Sequence, residues 1–237
     1  MNLQSACWPE LPVGADVALF PLGSCEQHGP HLPFGTDALI ADAVARRAAA
    51  ELNGAGVQAC CAPVLPFGAS GEHQHFGGTV SIGHQALHDV IVEIGRSATT
   101  WAQRLVFVNG HGGNLPTLSL AVRQLRTEGR DAAWVAGQPA GADAHAGHTE
   151  TSLMLAIAPE LVRLDVARAG VTEPLGELLP RLRRGGVIAV SPNGVLGDPT
   201  GADAEAGEAL LGRLVATVVD AIRAGSADDA GRLLVPA

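Results

Sequence analysis

Residues 104–114 read RLVFVNGHGGN, a continuous apolar run that ends in a glycine-rich turn. A short apolar run bounded by turn residues is typical of a β-strand buried on both faces of a sheet. Helical spacing of apolar residues resumes after the turn and continues to about Thr127. The segment therefore predicts a buried strand, Arg104–Val108, followed by a loop and a covering helix.

The same strand-then-helix order repeats on either side of this segment. Further strands are predicted over Asp16–Leu22, Val57–Leu65 and Ala132–Val135, with a late strand over Val187–Val190. Helices are predicted over Thr36–Leu52, with Thr36 as cap, His84–Trp101 and Ala202–Ala224, and from Thr149 or Glu150 onward. This alternation predicts an α/β fold with a mainly parallel sheet covered on both faces, and the length of the chain suits a single domain over residues 1–237.

Histidine and glycine concentrate in the loops that follow the predicted strands, after Leu22, Leu65 and Val108 and over 137–148. Parallel strands bring their carboxyl ends to one edge of the sheet, and ligands bind beyond that edge. We therefore expect these loops to meet in one site.

Composition and charge narrow the classes of function. A net charge of −9 disfavours nucleic-acid binding, because such a domain repels a phosphate backbone. No signal-peptide pattern and no bilayer-length apolar run are present, so we expect a cytoplasmic protein without a membrane partner. The cysteines show no CxxC spacing, which fits a reducing compartment. Cys25, Cys60 and Cys61 are expected to be small buried hydrophobes.

Glu26 and His28 stand two residues apart in the loop after the first strand. In an extended segment such residues point the same way and reach one metal cluster, while Cys25 faces away. Asp37 lies in the first turn of the next helix, where the chain returns to the same place and a negative charge suits the helix dipole. The alternative is that Glu26 and His28 are solvated loop residues.

His111 is surrounded by glycines directly after the buried strand. Glycines let the backbone approach a ligand closely, and the amides of Gly112 and Gly113 can hold an oxyanion. The alternatives are a tight turn with an incidental histidine, or a phosphate-binding loop. Neither GxGxxG nor GxxxxGK[ST] is present to support the second.

The segment HAGHTETS, residues 145–152, adds His145, His148 and Glu150. Taken alone, each has an ordinary explanation, since Glu150 is suited to the start of a helix and both histidines to a surface loop. Charge balance favours a metal site, because Glu26, Asp37 and Glu150 together place three negative charges in one region, which is costly without cations.

Two divalent ions and one bridging hydroxide would bring that charge to zero. Five ligands exceed the three that a single open catalytic zinc keeps, and they suit two metals that share one carboxylate. We therefore expect two ions, with Asp37 as the shared ligand, held by Glu26, His28, Asp37, His111 and Glu150. Oxygen and imidazole ligands leave zinc, manganese and ferrous iron open.

Four segments together resemble the creatininase family of amidohydrolases. They are GSCEQHGPHLPFGTDALIA, FGASGEHQHFGGTVS, FVNGHGGN and HAGHTETSLMLA, and they lie between Gly23 and Ala156. The resemblance implies a three-layer α/β/α sandwich, a homo-oligomer such as a hexamer, and hydrolysis of an amide. It also implies one metal on Glu26, Asp37 and His111, and a second metal on His28, Asp37 and another glutamate.

The sequence departs from creatininase proper at Gly113, where that enzyme carries the second glutamate two residues after the histidine of NGH. The resemblance implies that Glu150 substitutes for it and that creatinine is not the substrate. It further implies that Ser70 contacts substrate and that His145 donates the proton to the leaving nitrogen, with His148 as the alternative donor.

Residues 21–47 and the segment SPNGVLGDPTGA, residues 191–202, resemble one branch of the family. Its members are peptidases that release a Val-Tyr-derived C-terminal unit from a modified precursor peptide, and we expect that activity here. One alternative is hydrolysis of a small cyclic amide or formamide, such as a lactam or a formamidopyrimidine. The alternative of another class is a non-catalytic metal- or nucleotide-binding protein.

Overall fold

The central β-sheet has four strands, all parallel, in the computed structural model, which describes residues 1–137 and 142–235. The strands, in the order β2-β1-β3-β4, are β1 (Ala15–Leu22), β2 (Ala59–Cys61), β3 (Ala102–Asn109) and β4 (Ala132–Ala136). The α-helices are α1 (Thr36–Gly54), α2 (Gly83–Ala98), α3 (Leu115–Thr127), α4 (His148–Ile157), α5 (Leu175–Gly185) and α6 (Ala204–Ala224). The predicted parallel α/β sheet is confirmed.

Helices cover both faces of the sheet, as the alternation of side chains along β3 illustrates. Val106 and Val108 pack in one core with residues of α1, α4 and α6. Leu105 and Phe107 point the other way and pack with α2 and α3. Because a strand between two helical layers buries both faces, its sequence is apolar without interruption. The α/β/α sandwich implied by the family resemblance is confirmed.

The order of the strands creates a crevice between β1 and β3. The chain leaves β1 toward β2 on one side and then returns to place β3 on the other side. Loops that follow two neighbouring strands diverge at such a switch point, and ligands of open α/β sheets bind in the space between them. The loops that start at Gly23 and Gly110 therefore border the expected site.

Both outer strands of the sheet have backbone partners. Residues 1–3 exchange hydrogen bonds of 2.8 and 2.9 Å with the backbone of Cys61 in β2. Residues 231–233 do the same with Trp134 in β4, at 2.9 and 2.8 Å. The two terminal segments thus occupy the edges that the sheet would otherwise expose.

Two of the predicted strands require correction. The strand predicted over Val187–Val190 is wrong, since residues Val187–Ala189 form a 3₁₀ turn. Val187 and Val190 are apolar because they pack on Leu178 of α5 in a small separate core. The strand predicted over Val57–Leu65 contracts to β2, because Pro63 cannot donate a ladder hydrogen bond.

Smaller differences concern helix starts, one cysteine and one loop. Gly35 precedes α1, and the hydroxyl of Thr36 donates to the Pro33 carbonyl (2.7 Å) instead of capping the helix. Cys60 and Cys61 are buried, but Cys25 is only half-buried, contrary to expectation. The loop predicted over 137–148 includes residues 138–141, which lie outside the described residues. Within 1–137 and 142–235, no helix has the length and apolarity to cross a membrane.

Candidate metal centre

The loop after β1 carries Glu26 and His28 to the crevice. Gly23 allows this path, since a Cβ at that position would lie 2.4 Å from the Cα of Ala38. The loop therefore lies directly on the first turn of α1, which carries Asp37. Glu26, His28 and Asp37 are 0%, 1% and 2% exposed, so three ionisable groups from two segments are buried side by side.

The loop after β3 brings His111 to the same place. A Cβ at Gly110 would lie 2.5 Å from the carbonyl oxygen of Asp37, so a glycine is needed for this approach. His111 Nδ1 lies 3.2 Å from Glu26 Oε1 and 3.3 Å from Asp37 Oδ2. We call Glu26, Asp37 and His111 the first triad. They come together at the switch point from the loops after β1 and β3 and from the start of α1.

His28, Asp37 and Glu150 form a second triad. His28 Nε2 lies 3.2 Å from Asp37 Oδ1 and 3.8 Å from Glu150 Oε2. Glu150 is in the first turn of α4, and its Oε2 accepts a hydrogen bond from the Ala146 amide (2.6 Å). Ala146 has φ +53°, the one positive value at a non-glycine among the residues described. The loop before α4 thus adopts an uncommon backbone conformation where it meets Glu150.

The two triads fit divalent metal ions. Glu26 Oε1 and Asp37 Oδ2 are buried without a hydrogen-bond partner, which is costly for a carboxylate unless a cation satisfies it. Ligand atoms about 2.1 Å from a tetrahedral ion lie roughly 3.4 Å from one another, close to the spacings found here. Asp37 presents one oxygen to each triad. The donor set therefore suits two ions that share the Asp37 carboxylate.

Burial and neighbouring charges shift the pKa values of ionisable groups in this centre. Burial alone would lower the pKa of His28, but the negative charges of Asp37, Glu150 and Glu26 outweigh it and raise that pKa to about 9. Burial raises the pKa of Glu150 to about 7, and the charges of Asp37 and Glu26 add to the effect. The carboxylates repel one another in a buried space, and bound cations would relieve that repulsion.

His145 and His73 complete the inner wall of the centre. The His145 ring lies 4.3 Å from that of His28 and 4.4 Å from that of His73. Its Nε2–H donates to the Gln27 carbonyl (2.7 Å), while Nδ1 faces Glu26 Oε1 at 3.7 Å. Burial and the neighbouring His28 and His73 hold the pKa of His145 well below its usual value. The lowered pKa favours the neutral imidazole, and the hydrogen bond from Nε2 leaves Nδ1 as the nitrogen that can accept a proton inside the centre.

His148, the alternative donor, lies elsewhere. It is the first residue of α4, and its Nε2–H donates to the carbonyl of Gly201 (3.2 Å). No ligand group found among the described residues includes it, whereas His145 groups with Glu26 and His28. Of the two histidines, His145 is the one that the fold brings to the candidate metal ligands.

Ser70 is completely buried beneath the centre. Its hydroxyl is hydrogen-bonded to that of Ser24, which donates to Glu26 Oε2 (2.9 Å). In this arrangement Ser70 orients Glu26, a candidate metal ligand, through Ser24. The substrate contact predicted for Ser70 stays a prediction, and it requires the hydroxyl to turn away from Ser24.

The position of Gly113 explains why this chain has no glutamate there. A Cβ would lie 2.4 Å from His111 Nε2, 2.5 Å from Glu72 Oε1 and 2.6 Å from the Ala69 carbonyl. The Glu72 carboxylate fills the space that a side chain would need. Gly112, by contrast, has open space around its Cα, and both glycines begin a 3₁₀ turn whose first amides lack helical acceptors.

The sequence interpretation missed Glu72 and His73. Glu72 Oε1 lies 3.4 Å from His111 Nε2, and His73 Nε2 lies 3.3 Å from Glu26 Oε1. Both belong to the quoted segment FGASGEHQHFGGTVS, where the adjacent Glu-His pair was the available signal. The 3₁₀ turn over Gly71–His73 points both residues inward, which their spacing alone does not predict.

Sequence comparison places the chain in a known family. The family model described as "Creatininase: Creatinine amidohydrolase" matches residues 4–222. The chain belongs to the creatininase family. A relative named "Mycofactocin precursor peptide peptidase" from Mycobacterium ulcerans (strain Agy99) is 57% identical, over 90% of this chain and 87% of its own. The "Creatinine amidohydrolase" of Pseudomonas putida is 32% identical, over 89% and 90%.

Solved structures extend the comparison to the fold and to metals. A crystal structure from Bacteroides fragilis NCTC 9343 has a TM-score of 0.79 at 27% identity, over 96% of this chain and 97% of that one. Creatininase structures described as "Creatininase Mn" and as a "Zn-Zn type" mutant have TM-scores of 0.71 and 0.70 at 30% and 31% identity. Each covers 94% of this chain and 97% of its own. Creatininase neighbours thus include manganese and zinc forms, and this chain has residue groups able to hold such ions.

Proposed function

We propose that this chain is a metal-dependent amide hydrolase with two divalent ions, one on Glu26, Asp37 and His111 and one on His28, Asp37 and Glu150. The observation that carries the proposal is the Asp37 carboxylate. One of its oxygens faces His111 Nδ1 at 3.3 Å and the other faces His28 Nε2 at 3.2 Å. Zinc, manganese and ferrous iron all accept this ligand set, and the manganese and zinc neighbours support the first two.

The chemistry follows from the groups around the ions. A pair of divalent ions supplies, when bound, activation of a carbonyl and of an attacking water molecule. Because His145 Nε2 is engaged by the Gln27 carbonyl, its Nδ1 would be the atom that takes a proton from an attacking water and passes it to the leaving nitrogen. The amides of Gly112 and Gly113 stabilise the oxyanion, and Ser24 and Ser70 keep Glu26 in its orientation. The amide bond is hydrolysed with no net change in protons at His145.

We propose that the substrate is the modified mycofactocin precursor peptide, from which the enzyme releases the Val-Tyr-derived C-terminal unit. The relative at 57% identity supports this branch. The glycine at 113 argues against creatinine, because the family resemblance implies a metal-binding glutamate at this position in creatininase proper. A formamide substrate is the second candidate, because a "2-amino-5-formylamino-6-ribosylaminopyrimidin-4(3H)-one 5'-monophosphate deformylase" from Methanobrevibacter ruminantium matches over 44% of this chain at 34% identity.

Two experiments test the proposal. Chelation followed by addition of zinc, manganese or iron is expected to abolish and then restore activity, and activity that survives complete chelation would exclude metal-dependent hydrolysis. Incubation with the modified precursor peptide, creatinine and formamidopyrimidines, followed by mass spectrometry, identifies the substrate. Release of the Val-Tyr-derived unit alone is the expected result.

The same proposal includes three statements about the whole protein. Residues 1–237 form one domain, since both helical layers pack on one sheet. The enzyme is a cytoplasmic homo-oligomer, with a hexamer expected from the family resemblance. Light scattering coupled to size-exclusion chromatography measures the oligomeric state, and a monomer at working concentration would contradict this part.

A further inference from the structure

A cavity of about 620 Å³ lies between the Gly71–His73 turn and the carboxyl end of α5. We propose that this cavity binds an acidic segment of the peptide substrate, and that Arg183 and Arg184 recognise its carboxylates. The inference rests on the proposed function, because it assigns a substrate surface to the same metal centre. Pockets of this size hold ligands larger than a single amino acid.

The cavity reaches the metal ligands at its inner end. Glu72 and Ala69 both line it. Glu72 Oε1 lies 3.4 Å from His111 Nε2, and the Ala69 carbonyl lies 3.3 Å from the same nitrogen. A peptide that occupies the cavity is therefore separated from the first triad by a single layer of side chains. The cavity is adjacent to the chemistry and is not a remote surface depression.

The outer wall of the cavity is basic in an acidic protein. Arg183 and Arg184 line it, together with His75 and His84. Five other arginines of the chain form ion pairs with carboxylates, namely Arg46, Arg47, Arg96, Arg104 and Arg130. Arg183 and Arg184 are among the ten arginines for which no such pair is found within the described part of the chain, so no carboxylate of the protein itself occupies their guanidinium groups. Two guanidinium groups that line one cavity beside the candidate metal centre are suited to bind carboxylates, each in bidentate geometry.

The position of this wall is fixed by close packing. Gly186, directly after α5, has φ +68°, and a Cβ there would lie 2.6 Å from the Glu72 carbonyl. The end of α5 therefore rests on the Gly71–His73 turn. On the other side, Leu178 and Val187 anchor the helix in their own buried core. Both arginines are thus held at a defined place relative to Glu72, as a recognition site requires.

The charge of the whole chain favours a carboxylate-bearing peptide over a polyanion. At −9 the protein repels an extended phosphate backbone, whereas a short segment with one or two carboxylates meets mainly the local positive charge. The peptide is bound through its side chains here while its scissile amide reaches the triads. We expect the arginines to affect substrate binding and not the chemical step.

The test measures cleavage of two precursor-peptide analogues by the metal-loaded wild-type enzyme and by an Arg183→Ala/Arg184→Ala double variant. One analogue carries Asp and Glu on the amino side of the scissile bond. The other is identical except that Asn and Gln replace those acidic residues. The KM for the acidic analogue is expected to rise on the order of tenfold or more, because hydrogen bonds to charged groups contribute about 1.5–3 kcal/mol each. The value of kcat is expected to stay within about twofold, and the neutral analogue to show no change.

An Arg213→Ala/Arg223→Ala variant is the matched control, since both of these arginines are exposed on α6 and absent from the cavity. It removes the same charge and is expected to keep the wild-type KM. A charge-swapped pair, Arg183→Glu/Arg184→Glu with a lysine-containing analogue, is expected to recover binding. An unchanged KM in the alanine variant, or an equal loss for both analogues, would overturn the proposal.

Fluorescence anisotropy with labelled analogues separates this inference from the proposed function. Binding of the acidic analogue that depends on Arg183 and Arg184 supports the cavity even if no peptide is cleaved. Cleavage without any dependence on the two arginines supports the hydrolase and refutes the cavity. Absence of binding to the wild-type protein also refutes it.

Discussion

Substitution of Glu150 by glutamine is the sharpest test of a two-metal centre. The glutamine keeps the size of the side chain, and its amide oxygen can still accept the hydrogen bond from the Ala146 amide (2.6 Å in the wild type). The change removes one of three buried negative charges. The first triad, formed by Glu26, Asp37 and His111, is untouched.

The magnitude follows from the distance between the ligands. An ion shared by His28 Nε2 and Glu150 Oε2, which are 3.8 Å apart, lies within that distance of the carboxylate. A pair of unit charges at about 4 Å interacts by about 4 kcal/mol at the effective dielectric constant of a protein site, which is a lower bound for the attraction between a divalent ion and the carboxylate. Loss of that attraction is expected to weaken the second ion by on the order of 10³-fold. The first ion is expected to stay.

The measurement is metal content by mass spectrometry after dialysis at low free metal, together with kcat. Wild-type protein is expected to hold two ions per chain, and the Glu150→Gln variant one, with little remaining activity. Glu72→Gln serves as control, because Glu72 carries a carboxylate 3.4 Å from His111 Nε2 but belongs to neither triad. Two ions and full activity in the Glu150→Gln variant would refute the two-metal arrangement.

Three further predictions follow from the site. His145→Gln is expected to lower kcat by at least about 10²-fold with metal content unchanged, whereas His148→Gln is expected to keep kcat near the wild-type value. Equal losses of kcat in the two variants would contradict a role of His145 in proton transfer. Gly113→Ala is expected to lower activity and the free energy of unfolding, because its Cβ would lie 2.4 Å from His111 Nε2, and urea unfolding with kinetics checks both. Burial and the charge of His28 lower the pKa of His31 to about 4. In the unfolded chain the pKa of His31 is about 6.5, so the unfolded state binds this proton at a higher pH than the folded state does. The free energy of unfolding is therefore expected to fall as pH drops from about 6.5 toward 4, by up to about 1.4 kcal/mol per pH unit. The His31→Asn variant is expected to lack this part of the pH dependence. Identical slopes in urea titrations of both proteins would contradict it.

The sheet was predictable where burial alone shapes the sequence. The continuous apolar run of β3 and the strand-then-helix order identified the parallel sheet and its two helical layers. Apolar character alone led to the wrong prediction of a strand at Val187 and Val190, which are buried against Leu178 and not in the sheet. Helix α5 escaped prediction because it carries Pro180 and a charged, largely exposed surface. Local patterns report that a residue is buried but not what covers it.

The site was predictable to the extent that its ligands carry charge. Glu26, Asp37 and Glu150 attract notice because three buried carboxylates need compensation. Glu72 and His73 contribute through the packing of the Gly71–His73 turn against Gly113 and Glu26, a contact between segments about 40 residues apart. Such long-range contacts arise only when the fold is complete, and no spacing rule contains them.

The pairing of residues 1–3 with β2 and of residues 231–233 with β4 bears on how a peptide is recognised. Many peptide-binding proteins add their ligand as an extra strand at an open sheet edge, where backbone hydrogen bonds supply affinity with little regard to sequence. The outer strands of this sheet already have partners from the same chain. A peptide substrate must instead be selected by its side chains and its modified end, so the enzyme is expected to ignore unrelated extended peptides and to resist edge-to-edge association.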